Sequence, residues 1–108
     1  MIVTPSSSIA GRRVVETLGL VRGNTIRARH LGKDILAVFK GIVGGEIEEY
    51  TKMMAESREE AIDRMKRHAQ EMGADAVLDV RFTTAYVMGA AAEILAFGNA
   101  VRTESTDG

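Results

Sequence analysis

The stretch EIEEYTKMMAESREEAIDRMKRHAQEMGADAVLDVRF, residues 46–82, decides the fold. Its apolar residues first recur at spacings of three and four: Ile47, Tyr50, Met54, Ala61, Ile62, Met65, Ala69 and Met72. Past Gly73 they recur at every second position, at Leu78, Val80 and Phe82. A period near 3.6 that gives way to a period of two is a helix handing over to a strand. Glu46, Glu48 and Glu49 place negative charge in the first turn, where the helix dipole favours it. Glu60 with Arg64 and Asp63 with Arg67 are acid-before-base pairs four apart on the solvated face, each worth about 0.2–0.5 kcal/mol. Gly73 supplies the left-handed residue that closes the helix near Met72. The strand over 76–84 carries Asp79, Arg81 and Thr83 on its second face, the pattern of a half-buried strand.

Working upstream, residues 1–4 form a short strand, broken by the loop chemistry of Pro5-Ser6-Ser7-Ser8. Branched residues over 13–22 (Val14, Val15, Leu18, Leu20, Val21) predict a strand. Gly23-Asn24 reads as a hairpin turn into a second strand over 25–29. Ile35, Leu36, Phe39 and Ile42 follow helical spacing, so 33–43 is a short helix ended by Gly44-Gly45. Downstream, the strand over 92–101 is apolar on both faces, with Leu95, Phe97 and Val101 on one and Ile94, Ala96 and Ala100 on the other. Residues 104–108 read as a frayed, disordered tail. The expectation is one α+β domain over residues 1–108: a small sheet of short strands against one long and one short helix.

Composition narrows the function. The 108 residues suit a single core, and 45% hydrophobic with 27% charged is an ordinary globular balance. With three Phe, two Tyr and no Trp, that core is aliphatic and modest in stabilising power. A strand greasy on both faces, in a chain with few helices to cover it, then calls for a partner subunit. The absence of Cys excludes disulfides, thiolate metal sites and a Cys nucleophile. No apolar run approaches the ~20 residues that span a bilayer, so no membrane partner and a cytoplasmic location are expected. The net charge of -1 hides a division. Residues 1–45 carry seven basic residues against Glu16 and Asp34, whereas residues 46–108 carry seven against thirteen acids. Opposite halves of that kind steer one copy onto another; no aromatic stacking platform or recognition motif accompanies the basic residues, so no nucleic acid is expected.

Several segments, in order, resemble the YbjQ-like family of uncharacterised proteins. They are Met1-Ile2-Val3-Thr4; Glu16-Thr17-Leu18-Gly19-Leu20-Val21-Arg22-Gly23; Lys33-Asp34-Ile35; Ile42-Val43-Gly44-Gly45-Glu46; Arg58-Glu59-Glu60-Ala61; Met72-Gly73-Ala74-Asp75-Ala76-Val77; and Phe97-Gly98-Asn99-Ala100-Val101. The resemblance covers nearly the whole chain and departs at Asn99, where the family commonly has Thr, and at Gly41 within the short helix. It implies a compact subunit assembled as a ring-like homopentamer, and it brings a heavy-metal-binding label without an established activity.

Candidate sites are few. Met65, His68 and Met72 share one helix face and could offer two thioethers and an imidazole to a soft cation, though a methionine stripe at that spacing is the common dress of a core. A small-ligand pocket at a subunit junction would draw on Arg27, Arg29 or His68. Glu16 and Asp34 are the only carboxylates in the basic half and so candidate bases, with Asp34 also suited to a helix start. Ser6, Ser7 and Ser8 lack a nucleophile-elbow context. Gly41-Ile42-Val43-Gly44-Gly45 is followed by Glu46, Glu48 and Glu49 and by no Lys-Ser/Thr, which excludes a phosphate loop. No cofactor is implied, and the expectation is a self-assembling protein that is not an enzyme.

Overall fold

The computed structural model describes residues 1–26, 46–87 and 90–106. Its elements in chain order are β1 (Ile2–Val3), β2 (Arg12–Ile26), α1 (Glu46–Glu71), β3 (Ala76–Val87) and β4 (Ala90–Ser105). The strands form one sheet in the order β1-β3-β4-β2, with β1 parallel to β3 and the other pairs antiparallel. This is the expected α+β fold, with one long helix on a mixed sheet. The short helix expected over 33–43 lies outside the described residues.

The strands are not short: β2, β3 and β4 hold 15, 12 and 16 residues. The largest correction concerns Gly23-Asn24, which makes no hairpin. β2 runs straight through, with Gly23 opposite Ala96 and Asn24 opposite Leu95. Gly23 has another purpose, because a Cβ there would run into the helix backbone at Met65 N, Ala61 O and Arg64 C. Glycine is required where the helix presses its own main chain onto the strand. Nor does β4 fray at Glu104. Glu104 and Ser105 pair with Arg13 and Arg12, the Thr106 N–H donates to Gly11 O (2.9 Å), and an ion pair joins Arg13 to Glu104 at 3.1 Å.

The helix behaves as its period requires. Ala61, Met65 and Ala69 are fully buried, with Met54, Ile62 and Met72 packed at the margin. They meet Val21 of β2, Val77 and Val80 of β3, and Ile94, Ala96 and Ala100 of β4. A buried tie fixes the crossing: the Thr25 hydroxyl donates to Ser57 O at 3.4 Å. Gly73, at φ +85°, closes the helix.

In β3 the simple alternation fails. Asp79 sits at φ 55°, and the register slips between Leu78 and Arg81. The extra residue is a β-bulge, which turns the following side chains over. Val77 and Val80 therefore both join the helix-side core, while Leu78 joins Ala76 and Val101 on the opposite face, under Ile9. The expected grouping of Leu78 with Val80 and Phe82 is corrected accordingly, and Phe82 remains 44% exposed. The bulge is pinned by the N-terminal loop, since Asp79 N–H donates to Ser6 O (3.0 Å) and the Ser7 hydroxyl to Asp79 Oδ1 (2.6 Å).

Candidate functional site

The sheet leaves two edges of unequal length. β1 covers β3 only at Ala76 and Val77, with bonds from Thr4 N–H and Val80 N–H carrying the contact a little further. Beyond Val80, no described strand pairs with the outer side of β3. There Phe82 and Tyr86 stand out, Tyr86 at 67% exposure. The outer side of β2 is likewise a sheet edge, with Val14, Val15 and Leu20 exposed, Leu20 at 61%. Bare edges with large apolar side chains are templates for another chain.

One stretch of the β2 edge is already occupied. His68 Nδ1 accepts the Arg22 backbone N–H at 3.3 Å, and Arg64 Nη1 donates to Asn24 O at 2.6 Å. Two helix side chains thus stand in for a neighbouring strand at residues 22–24. No local pattern points to this role, because it depends on the helix lying along β2, a matter of tertiary placement.

That geometry also places the three candidate metal ligands. Met65 is fully enclosed in the core, Met72 is half-buried against the same cluster, and the half-exposed His68 spends Nδ1 on the β2 amide. A cation reaching this face from solvent meets one imidazole nitrogen that has no described partner and no Met65 sulfur, so the trio does not fit a three-ligand soft-metal site. No group of three or more His, Asp or Glu suited to a metal ion occurs among the described residues.

The other candidates separate as well. Glu16 accepts from Arg102 Nε at 2.9 Å on the exposed surface, and that hydrogen bond, followed by the carboxylate's charge, raises the Arg102 pKa above the ordinary guanidinium value. It is an ion pair across β2 and β4. Ser7 serves the Asp79 bulge, and Ser6 lends its carbonyl to the same turn. Asp34, Arg27, Arg29 and the glycines at 41–45 lie outside the described residues. No described helix is long and apolar enough to cross a membrane.

On the face of the sheet away from the helix lies a hollow of about 290 Å³ lined by Arg22, Asn24, Glu93 and Leu95. Asn24 Nδ2 donates to Glu93 Oε2 at 3.2 Å across the β2–β4 pair. Arg22 stands opposite Phe97 and Asn24 opposite Leu95, which places them in successive cross-strand rows.

These features define a small helix-on-sheet domain with strand edges that no described strand pairs and, among the described residues, a shallow polar hollow. Residues 1–104 match the YbjQ family model, described as "Putative heavy-metal-binding". Relatives named UPF0145 protein cover nearly the same length. One from Archaeoglobus fulgidus is 57% identical over 94% of this chain and 94% of its own, and one from Methanosarcina acetivorans 55% over 94% and 96%. One from Thermosipho africanus is 50% identical over 99% of each chain. This chain therefore belongs to the YbjQ family of UPF0145 proteins, as its sequence segments implied. A crystal structure from Pediococcus pentosaceus, of a protein of unknown function in the DUF74 family, covers 96% of this chain and 98% of its own. Its TM-score is 0.57 at 16% identity, a likeness of fold alone.

Proposed function

We propose that this chain is a non-enzymatic subunit that assembles with copies of itself into a closed ring, a homopentamer by its resemblance to the family. The observation that carries the reading is the outer side of β2 up to Val21, which no described strand pairs and along which Val14, Val15 and Leu20 are exposed. The exposed Phe82 and Tyr86, on the stretch of β3 past Val80 that no described strand pairs, support it.

Sedimentation equilibrium at micromolar concentration tests the reading. A single species of several subunits is expected, and Val15→Lys with Leu20→Lys should return it to the monomer. A monomeric native chain ends the proposal.

The family description favours a second reading, a metal-binding protein. Metal analysis of the native chain beside His68→Ala addresses it, with no bound metal and no thermal shift on adding Cu, Zn or Ni counting against it.

A further inference from the structure

We propose that the sheet face opposite α1 carries a binding site for a small zwitterion, a free amino acid or short peptide whose carboxylate meets Arg22 and whose ammonium group meets Glu93. The inference stands apart from self-assembly, since all four described lining residues come from one chain.

Three observations converge. First, the Arg22 guanidinium has no hydrogen-bond or ion-pair partner among the described residues; only its backbone N–H is engaged, by His68. The other β2 arginines are taken, Arg12 by Thr103 and Asp75, Arg13 by Glu104. An arginine fork lining a hollow is suited to a carboxylate, which it grips with two parallel bonds. Second, Glu93 is half-buried and oriented, because Asn24 Nδ2 holds Oε2 and leaves Oε1 without a described partner. A carboxylate fixed in this way receives an ammonium group without first having to order itself. Third, the charges stand at opposite ends with Leu95 between them: Arg22 faces Phe97, Asn24 faces Leu95, and Glu93 faces Ile26. Four residues of strand separate the end rows, about 13 Å. The Asn24 bond draws the Glu93 carboxylate toward the middle row, which shortens the span. A short molecule with opposite charges at its ends bridges what remains, and a monovalent ion satisfies only one end.

The volume sets the size. At about 290 Å³ the hollow lies at the lower limit of roughly 300 Å³ for ligand pockets, which suits a few heavy atoms beyond the two charged groups. Leu95 offers apolar contact to a small side chain or backbone methylene.

The test is a titration of the native chain with glycylglycine at millimolar concentration, followed by NMR at the Asn24 side-chain amide. Acetate and methylammonium, each with one of the two charges, run in parallel. Saturable shifts with glycylglycine, and none with the single-charge probes at equal ionic strength, are expected. Arg22→Gln and Glu93→Gln should each weaken binding by roughly tenfold or more, the loss of one charge-assisted contact, with the circular dichroism melt unchanged. No saturable shift in the native chain overturns the proposal without any variant. Equal response to the single-charge probes overturns it too, since that is ordinary ion pairing.

Discussion

Replacing Gly23 with Ala adds one methyl group where the helix backbone already lies. Its Cβ would overlap Met65 N and Ala61 O and come within 2.8 Å of Arg64 C. None of these is the tip of a side chain that can swing aside, so the helix has to lift from the strand. A shift on the order of 1 Å opens the contacts among Val21, Ala61 and Met65, the tightest part of the core. Overpacking of this kind costs about 1–3 kcal/mol. The opposing term is the smaller entropy of an unfolded chain with one glycine fewer, about 0.4–1 kcal/mol. A net loss of about 1.3 kcal/mol is expected, equivalent to roughly 5–10 °C in midpoint for a domain of this size. The assay is urea unfolding at matched protein concentration, because association would add its own concentration-dependent stability. The control is Gly73→Ala, where a Cβ meets nothing within 4 Å and only the φ of +85° opposes it, a strain of about 1–2 kcal/mol against the same entropy offset, so a smaller net loss than at Gly23. A Gly23→Ala protein as stable as the native chain, or more stable than Gly73→Ala, would refute the claim that backbone contact fixes the helix at this residue.

Met65→Ala empties the most enclosed large position of the core and should lower stability by about 2–5 kcal/mol, measured by the same urea titration; a loss under 1 kcal/mol would mean the site collapses freely. At Asp79, Ala should be worse than Gly, because Gly accepts the φ of 55° while Ala keeps a strain of about 1–2 kcal/mol. Both lose the Ser7 bond, so the comparison of their melting midpoints isolates the backbone term, and equal midpoints would remove the strain. His68→Ala takes away the acceptor for Arg22 N–H, and amide exchange at Arg22 should quicken relative to Val21; unchanged protection would show that the imidazole contributes nothing there.

The long helix, its apolar stripe and its closure at Gly73 were legible because they are written in local period and φ requirement. β3 and β4 were legible as strands, and their lengths were not, since Glu104 and Ser105 are polar and owe their place to Arg13 and Arg12 across the sheet. Gly23-Asn24 misled for a physical reason: glycine serves a turn by its freedom of φ and a helix crossing by its lack of Cβ, and only the tertiary neighbour tells the two apart. The bulge at Asp79 escaped notice because aspartate suits both an alternating strand and a left-handed position. Of the candidate site residues, Met65 followed the ordinary reading of a methionine stripe. His68 and Arg64 acquired meaning from lying over a strand edge, and the Arg22–Glu93 hollow joins residues 71 positions apart through strand register.

The hold of Arg64 and His68 on the rim of β2 has a bearing on how any added strand can grow. An incoming segment that zips along this margin from residue 12 meets a stop at residues 22–24, where the docking groups are already engaged and the helix would have to release them. Growth is thus bounded in length and polarity. A chain so built can accept a short neighbour at one end of its longest exposed strand while refusing the full-length, in-register stacking from which fibrils are made.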